Sequence, residues 1–206
     1  MLVKIHPDNP AERQLNMAVD CLAKDGVIIY PTDTVYAMGC SIYSPKALER
    51  VARIRGLRLE KANFSFVCHD LSNISAYTRP IPNNIYKLMK KAFPGPFTFI
   101  LEANNNVPKI FQYKKKTIGI RVPDNNIARE IVRMLGNPII STSIHDEDEI
   151  VEYTTDPELI YEKYCKTVDM VIDGGYGDNE ASTVVDCTED IPQVIRPGKG
   201  DLDAII

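Results

Sequence analysis

The sequence contains no tryptophan, and it has only five cysteines among its 206 residues. The cysteines stand at positions 21, 40, 68, 165 and 187, which is too scattered for a CxxC metal or redox pair. We therefore expect free thiols in a reducing compartment, with Cys21, Cys68 and Cys187 buried in or beside apolar stretches. The three histidines show no ligand spacing with the cysteines, so no metal ligands are assigned.

Long apolar segments and glycine-rich phosphate loops are also missing. No apolar run approaches the roughly 20 residues that are needed to cross a bilayer. The first residues, MLVKIHPDNPAER, lack the apolar centre of a secretory signal. Neither GxxxxGK[ST] nor GxGxxG occurs. We expect a cytoplasmic protein with no membrane association, in which any bound nucleotide is held by other groups.

The composition, 44% apolar and 25% charged, fits one domain over residues 1–206. A chain of this length buries roughly 70% of its unfolded surface. The net charge of −4 argues against a general nucleic-acid coat, but basic residues cluster at 50–61 and 114–121, beside an acidic block at 146–149. Local basic patches on an acidic chain suit a small anionic ligand better than a long polyanion. The run 114–116 is interpreted as a solvated loop.

Apolar periodicity predicts helices that alternate with strands. The predicted helices cover residues 10–25, 45–56, 84–93, 127–135 and 157–164, with Ser44 and Asp156 as N-caps and Gly136 as a stop. The predicted strands cover residues 27–30, 63–68, 97–101, 117–122, 138–144, 170–173, 182–187 and 193–196. This alternation predicts one α/β domain with a twisted, mostly central sheet and flanking helices. The strand order does not follow from the pattern.

Polar residues follow the strand at 27–30. Pro31 ends this strand, so Thr32, Asp33 and Thr34 lie on the loop that leaves it, where open α/β sheets place ligand sites. Asp33 is interpreted as a turn-forming residue rather than as a metal ligand or base. Other strands begin or end with hydroxyls, arginine or glycine, in the segments PFT, GIRVP, STS, STVVD and RPG. If they converge, such groups make a pocket for a phosphate or a carboxylate.

Seven segments in a fixed order carry a resemblance to a known family. They are GVIIYPTDTVYAMGC, RIR…KAN at 53–63, FPGPFTFIL, TIGIRVP, IISTS, STVVD and RPG. The chain resembles the YrdC/YciO family of threonylcarbamoyl-adenylate synthase-like proteins over residues 14–198. The resemblance implies a twisted α/β sheet with a concave, positively charged face. It also implies that L-threonine, bicarbonate and ATP react to threonylcarbamoyl-AMP and pyrophosphate, which serves tRNA adenosine modification.

The same resemblance implies roles for individual residues. Thr34 and Tyr36 match the threonine site, with Arg121 and Ser182 as partners of the amino-acid carboxylate. The catalytic, phosphate-facing set that it implies is Arg53, Arg55 and Lys61. The nucleotide contacts that it implies are Asn63, Thr98, Ser141, Ser143 and Arg196. Mg²⁺ arrives with ATP. From the residues alone, Arg53 and Arg55 equally suit a helix C-terminus, and Ser141 and Ser143 equally suit a turn.

The chain departs from the synthase motifs at three places. Arg53 stands where the family has lysine, His145 where synthases have asparagine, and Ala37-Met38 where synthases have Gly-Leu. These departures move the chain toward the YciO branch. Two hypotheses therefore stay open: a synthase, and a protein that binds tRNA or double-stranded RNA on the concave face without catalysis. Because RNP-type aromatic motifs are absent, RNA contacts would be mainly to phosphates and shape. The oligomeric state is not predicted.

Overall fold

A ten-stranded sheet forms the centre of the computed structural model, which describes residues 1–59, 64–108, 116–144, 154–189 and 191–206. The strands are β1 (Leu2–Lys4), β2 (Ile28–Tyr30), β3 (Ala37–Ser41), β4 (Ser65–Val67), β5 (Phe97–Glu102), β6 (Thr117–Arg121), β7 (Ile139–Ser143), β8 (Met170–Asp173), β9 (Thr183–Asp186) and β10 (Gln193–Arg196). Across the sheet they follow the order β1-β8-β2-β3-β7-β4-β6-β5-β9-β10. The sheet is mixed, since β2 pairs parallel with β8 but antiparallel with β3.

Helices cover both faces of this sheet. They are α1 (Glu12–Ala23), α2 (Pro45–Ile54), α3 (Asn83–Ala92), α4 (Asn126–Leu135) and α5 (Pro157–Tyr164), with a short 3₁₀ helix at Ile74–Ala76. Buried residues of α2, α3 and α5 share one apolar cluster with the sheet, and those of α1 and α4 share another. Among the described residues, the α1/α4 cluster includes none from β5, β6, β9 or β10. The face of the sheet that packs against α1 and α4 therefore has a part, formed by β5, β6, β9 and β10, that lies outside this apolar cluster. We call this part the uncovered half.

Local signals place three helix ends as predicted, the starts of α2 and α5 and the end of α4. The Ser44 side chain accepts a hydrogen bond from the Ala47 N–H, and Pro45 starts α2. The Asp156 side chain accepts from the Glu158 N–H ahead of α5. Gly136 ends α4 with φ 75°, in the left-handed region that glycine adopts at low cost. The predicted α/β domain with a large sheet and flanking helices is confirmed.

Two strands were not predicted, β1 and β3. β3 contains alanine and glycine, which are weak strand formers, and all five of its residues are buried. It lies between β2 and β7, where a Cβ on Gly39 would stand 2.5 Å from the Ile140 carbonyl oxygen. Close packing of neighbouring strands, rather than alternation along the chain, makes this segment a strand.

The five cysteines are free thiols. Cys40, Cys68 and Cys187 are buried, whereas Cys21 is only partly buried, contrary to expectation. Burial raises the pKa of the Cys40 thiol to about 12. Within the described ranges, no helix combines the length and apolar character needed to span a membrane.

Candidate functional site

The loop after β2 encloses the guanidinium of Arg121, the last residue of β6. Its Nη2 donates to Asp33 Oδ1 at 2.7 Å, to Thr34 Oγ1 at 2.6 Å and to Thr32 Oγ1 at 3.1 Å. The Arg121 and Asp33 side chains are only 8% and 10% exposed. Arg121 and Asp33, 88 positions apart in the chain, thus form a buried ion pair at the point where β6 ends.

Thr32, not Asp33, makes the side-chain hydrogen bonds of this turn. The Thr34 N–H donates to Thr32 Oγ1 at 3.1 Å, and Thr32 Oγ1 donates to the Val35 carbonyl at 2.8 Å. The interpretation of Asp33 as a turn former is therefore wrong, because its carboxylate binds Arg121 instead. Because the Thr32 hydroxyl makes the hydrogen bonds of the turn, the Asp33 carboxylate is available for the ion pair with Arg121.

Each member of the ion pair keeps one buried polar atom without a partner among the described residues. These atoms are Asp33 Oδ2, an acceptor, and Arg121 Nε, a donor. An unsatisfied buried polar group costs about 1–3 kcal/mol, and more when it is charged. A polar ligand that reached both atoms and supplied one donor and one acceptor would remove this cost.

A second polar group lies at the far end of the uncovered half. The hydroxyls of Thr98 on β5 and Ser182, which precedes β9, form a hydrogen bond of 2.9 Å. Arg196 at the end of β10 donates from Nη2 to the Ser182 carbonyl at 2.8 Å and to its hydroxyl at 3.3 Å. Ser182 thus contacts two residues that the resemblance assigned to the nucleotide, rather than Arg121.

Strand register places these residues on one face. Phe99 and Ile120 lie opposite each other and belong to the α2/α3/α5 cluster, so Thr98 and Arg121, one position away, point to the opposite face. This is the face of the uncovered half.

Ser141 and Ser143 on β7 lie on the same face as Arg121. Ser141 lies opposite both Gly39 and Ser65 in the sheet, and it accepts a hydrogen bond from the Tyr30 hydroxyl at 2.9 Å. Burial raises the pKa of Tyr30 to about 12, so this phenol stays a donor at neutral pH. Ser143, two residues on, is partly buried. The register brings the predicted serines, Thr98 and Arg121 to one surface of the sheet.

Arg121 and its hydrogen-bond partners Thr32, Asp33 and Thr34 are called the Arg121 cluster. A cavity of about 470 Å³ adjoins this cluster. It is lined by Thr32, Asp33, Thr34, Thr155, Tyr176, Gly177, Asp178, Asn179 and Lys199. Lys199 Nζ donates to the Asp33 carbonyl at 2.9 Å and to Asp178 Oδ2 at 2.7 Å. The Lys199 hydrogen bond holds the pKa of Asp178 below its ordinary value. Sequence reasoning missed the lining residues from 155 onward.

Tyr36 lies behind this cavity rather than in its lining. Its side chain is fully buried, and its hydroxyl donates to the Gly175 carbonyl at 2.7 Å and accepts from the Gly174 N–H at 3.2 Å. Burial raises the pKa of Tyr36 well above its ordinary value. A Cβ on Gly177 would stand 2.7 Å from the Tyr36 ring. Tyr36 thus fixes the segment that follows β8.

The predicted phosphate-facing residues are only partly described. Arg53 is exposed and lines a second cavity of about 530 Å³, which shares no lining residue with the first. Arg55 follows α2 and is half-buried. Lys61, Asn63 and His145 lie outside the described residues, as do the acidic block 146–149 and most of the run 114–116. The contacts described for Arg53 do not include the Arg121 cluster.

Comparison with known proteins identifies relatives of this chain. The Sua5_yciO_yrdC family model, described as telomere recombination, matches residues 20–198. YciO of Escherichia coli is 46% identical over 200 residues, which cover 96% of this chain and 95% of YciO. A threonylcarbamoyl-AMP synthase of Coxiella burnetii is 27% identical over 173 residues, which cover 84% of this chain and 91% of the synthase.

Solved structures share the fold. The crystal structure of E. coli YciO matches with a TM-score of 0.90 and 44% identity, covering 100% of this chain and 99% of YciO. Pyrococcus abyssi Sua5, in a crystal structure complexed with L-threonine, matches with a TM-score of 0.90 and 23% identity. That match covers 100% of this chain but 59% of Sua5, which therefore extends well beyond the shared fold.

Proposed function

Because the chain belongs to the Sua5/YciO/YrdC family, we propose that it is an ATP-dependent L-threonylcarbamoyladenylate synthase that serves tRNA threonylcarbamoyladenosine modification. Threonine, bicarbonate and ATP, with its Mg²⁺, are the substrates, and threonylcarbamoyl-AMP, pyrophosphate and water are the products. Relatives named threonylcarbamoyl-AMP synthase and the Sua5 structure with L-threonine support the choice of substrate.

The observation that carries the proposal is the incomplete ion pair of Asp33 and Arg121. The buried Oδ2 of Asp33 accepts hydrogen bonds and carries negative charge, so it suits an ammonium group. The buried Nε of Arg121 donates from a permanently charged group, so it suits a carboxylate. An amino acid supplies both groups on one carbon. The pair therefore suits a small zwitterion better than a phosphate alone.

The chemistry requires positioning and charge stabilisation more than an activated side chain. The amine nitrogen forms a bond to the carbon of bicarbonate, with loss of water and a proton, which gives a carbamate. A carbamate oxygen then bonds to the α-phosphorus of ATP. The bond from that phosphorus to the bridging oxygen breaks, and the electron pair leaves with pyrophosphate. In-line positioning and neutralisation of charge are the contributions expected of the protein.

The uncovered half, together with β7 on the same face of the sheet, offers groups for the nucleotide. Thr98, Ser141 and Ser143 present hydroxyls on the face that carries Arg121, and Arg196 adds a guanidinium at its far end. Hydroxyls and guanidinium groups are common ligands of phosphate oxygens. We propose that ATP lies along this row, with its α-phosphate toward the amino-acid site. Arg53, Arg55, Lys61 and Asn63 remain candidates for contacts with the β- and γ-phosphates.

The test is pyrophosphate release from ATP with threonine and bicarbonate, each omitted in turn, together with identification of threonylcarbamoyl-AMP by mass spectrometry. Wild-type turnover should require all three substrates. Arg121→Met should abolish it, while Arg133→Met, a change of an exposed arginine on α4, should not. The variant His145→Asn restores the asparagine of the synthase motif. Absence of turnover in both the wild type and this variant, without ATP binding, would reject the proposal.

RNA binding is the alternative outcome of the same experiments. A protein that uses the uncovered half for tRNA or double-stranded RNA would show no turnover. Its RNA affinity would fall steeply as the salt concentration rises, because contacts to phosphates release counterions. Filter binding at two salt concentrations distinguishes this outcome.

A further inference from the structure

Lys199 is a cavity residue that lies just beyond the family match, which ends at residue 198. Its backbone is held firmly in place. The Lys199 N–H donates to the Ala181 carbonyl at 2.9 Å, and Thr183 Oγ1 donates to the Gly200 carbonyl at 2.6 Å. Leu202, three residues on, is buried. The C-terminal segment therefore presents the lysine side chain to the cavity from a fixed position.

Within the described cavity lining, Lys199 is the only cationic residue and stands beside two carboxylates, Asp33 and Asp178. A lysine ammonium has three N–H donors and no acceptor. Two acceptors bind it, the Asp33 carbonyl and Asp178 Oδ2, which leaves one donor for a ligand. Arg121, the neighbouring cation, directs its Nη2 into the loop after β2. An anion that enters the cavity thus meets Lys199 as the cationic residue of the described lining, while the Nε of Arg121 stays assigned to the amino-acid carboxylate.

We propose that Lys199 binds the one-carbon anion of the reaction, as bicarbonate and then as the carboxylate of the carbamate. This inference depends on the proposed function, which requires that anion beside the substrate amine. Asp33 contacts both the proposed amine position and Lys199. Its Oδ2 is the acceptor proposed for the amine, and its carbonyl oxygen lies 2.9 Å from Lys199 Nζ. The ammonium also offsets the repulsion that Asp33 and Asp178 exert on an approaching anion.

The test is a titration with ¹³C-bicarbonate in the presence of L-threonine and without ATP, followed by ¹³C NMR. Free bicarbonate and the carbamate carbon give separate signals, so the two forms are distinguished. Wild-type protein should show a saturable response. Lys199→Met should weaken bicarbonate affinity at least about tenfold, equivalent to about 1.4 kcal/mol. Lys166→Met, a change of an exposed lysine outside the cavity, should have no effect.

A purely structural role for Lys199 is tested with Asp178→Asn. This variant breaks the ion pair and removes one repelling carboxylate but keeps the ammonium, so its bicarbonate affinity should be no weaker than that of the wild type. Threonine affinity, measured by calorimetry, should be unchanged in Lys199→Met. Equal weakening in both variants, an unaffected Lys199→Met, or no bicarbonate response in the wild type would each overturn the inference.

The two proposals fail in distinguishable ways. Bicarbonate binding that depends on Lys199, without pyrophosphate release, would reject the synthase and keep the anion site. Turnover with a Michaelis constant for bicarbonate that Lys199→Met leaves unchanged would keep the synthase and reject the anion site.

Discussion

Replacing Arg121 by methionine should lower the free energy of unfolding by about 3 kcal/mol or more. The change leaves the Asp33 carboxylate only 10% exposed and without its cation. It also removes three hydrogen bonds from Nη2 to the loop after β2. Removing one partner of a buried pair typically costs about 3–5 kcal/mol, mostly because the other charge stays buried. Methionine keeps much of the aliphatic length, so a cavity adds little.

The double variant Arg121→Met/Asp33→Asn separates the charge effect from the packing effect. Once the carboxylate is neutral, loss of the guanidinium should cost less, so the double variant should be about 1–3 kcal/mol more stable than the sum of the single changes predicts. Urea unfolding at pH 7 measures this, with circular dichroism as the signal because the chain has no tryptophan. Arg133→Met, at an exposed ion pair, is the control and should leave the midpoint unchanged. Additive changes, or a cost below about 1 kcal/mol for Arg121→Met, would refute the reasoning.

Two further predictions concern the sheet beneath the site. Gly39→Ala should destabilise by about 1–3 kcal/mol, because its Cβ would lie 2.5 Å from the Ile140 carbonyl oxygen and 2.6 Å from Ile139 Cγ2. Gly119→Ala, whose Cβ would have its nearest neighbour at 3.1 Å, should lower the free energy of unfolding less. A lower urea midpoint for Gly119→Ala than for Gly39→Ala would contradict this. Tyr30 has a pKa near 10 when unfolded and about 12 when folded, so its contribution to stability should be present below pH 10 and lost between pH 10 and 12. The stability advantage of wild type over Tyr30→Phe should therefore shrink from pH 9 to 11.5, and a constant difference would argue against burial as the cause.

The elements that the sequence predicts well are those with local signals. α5 and β8 begin and end where the pattern places them, because Asp156 and Pro157 start the helix and an apolar run forms the strand. β3 lacks such signals. Its alanine and glycine become a strand only because β2 and β7 pair with it on both sides. Pairing of this kind depends on segments distant along the chain, which periodicity does not reveal.

The same limit applies to the site. Polar residues at strand ends were recognised from the sequence, and the register brings several of them to one face of the sheet. The partner of each residue was not predictable. Aspartate is a common turn residue, and the sequence alone suggests that role for Asp33. Only the fold shows that Thr32 makes the side-chain hydrogen bonds of the turn and that the Asp33 carboxylate binds Arg121. Lys199 follows a glycine in an ordinary polar segment, and its contact with Asp33 spans 166 positions.

These long-range contacts connect the two loops that line the cavity. The Asp178 N–H donates to the Thr34 carbonyl at 3.2 Å, and the Tyr36 hydroxyl holds the backbone of Gly174 and Gly175. Lys199 bridges the same two loops through the Asp33 carbonyl and Asp178 Oδ2. Since the backbone contacts persist when the Lys199 side chain is removed, the loops should keep their positions in Lys199→Met. A selective loss of bicarbonate affinity in that variant would therefore report the missing charge rather than a displaced loop.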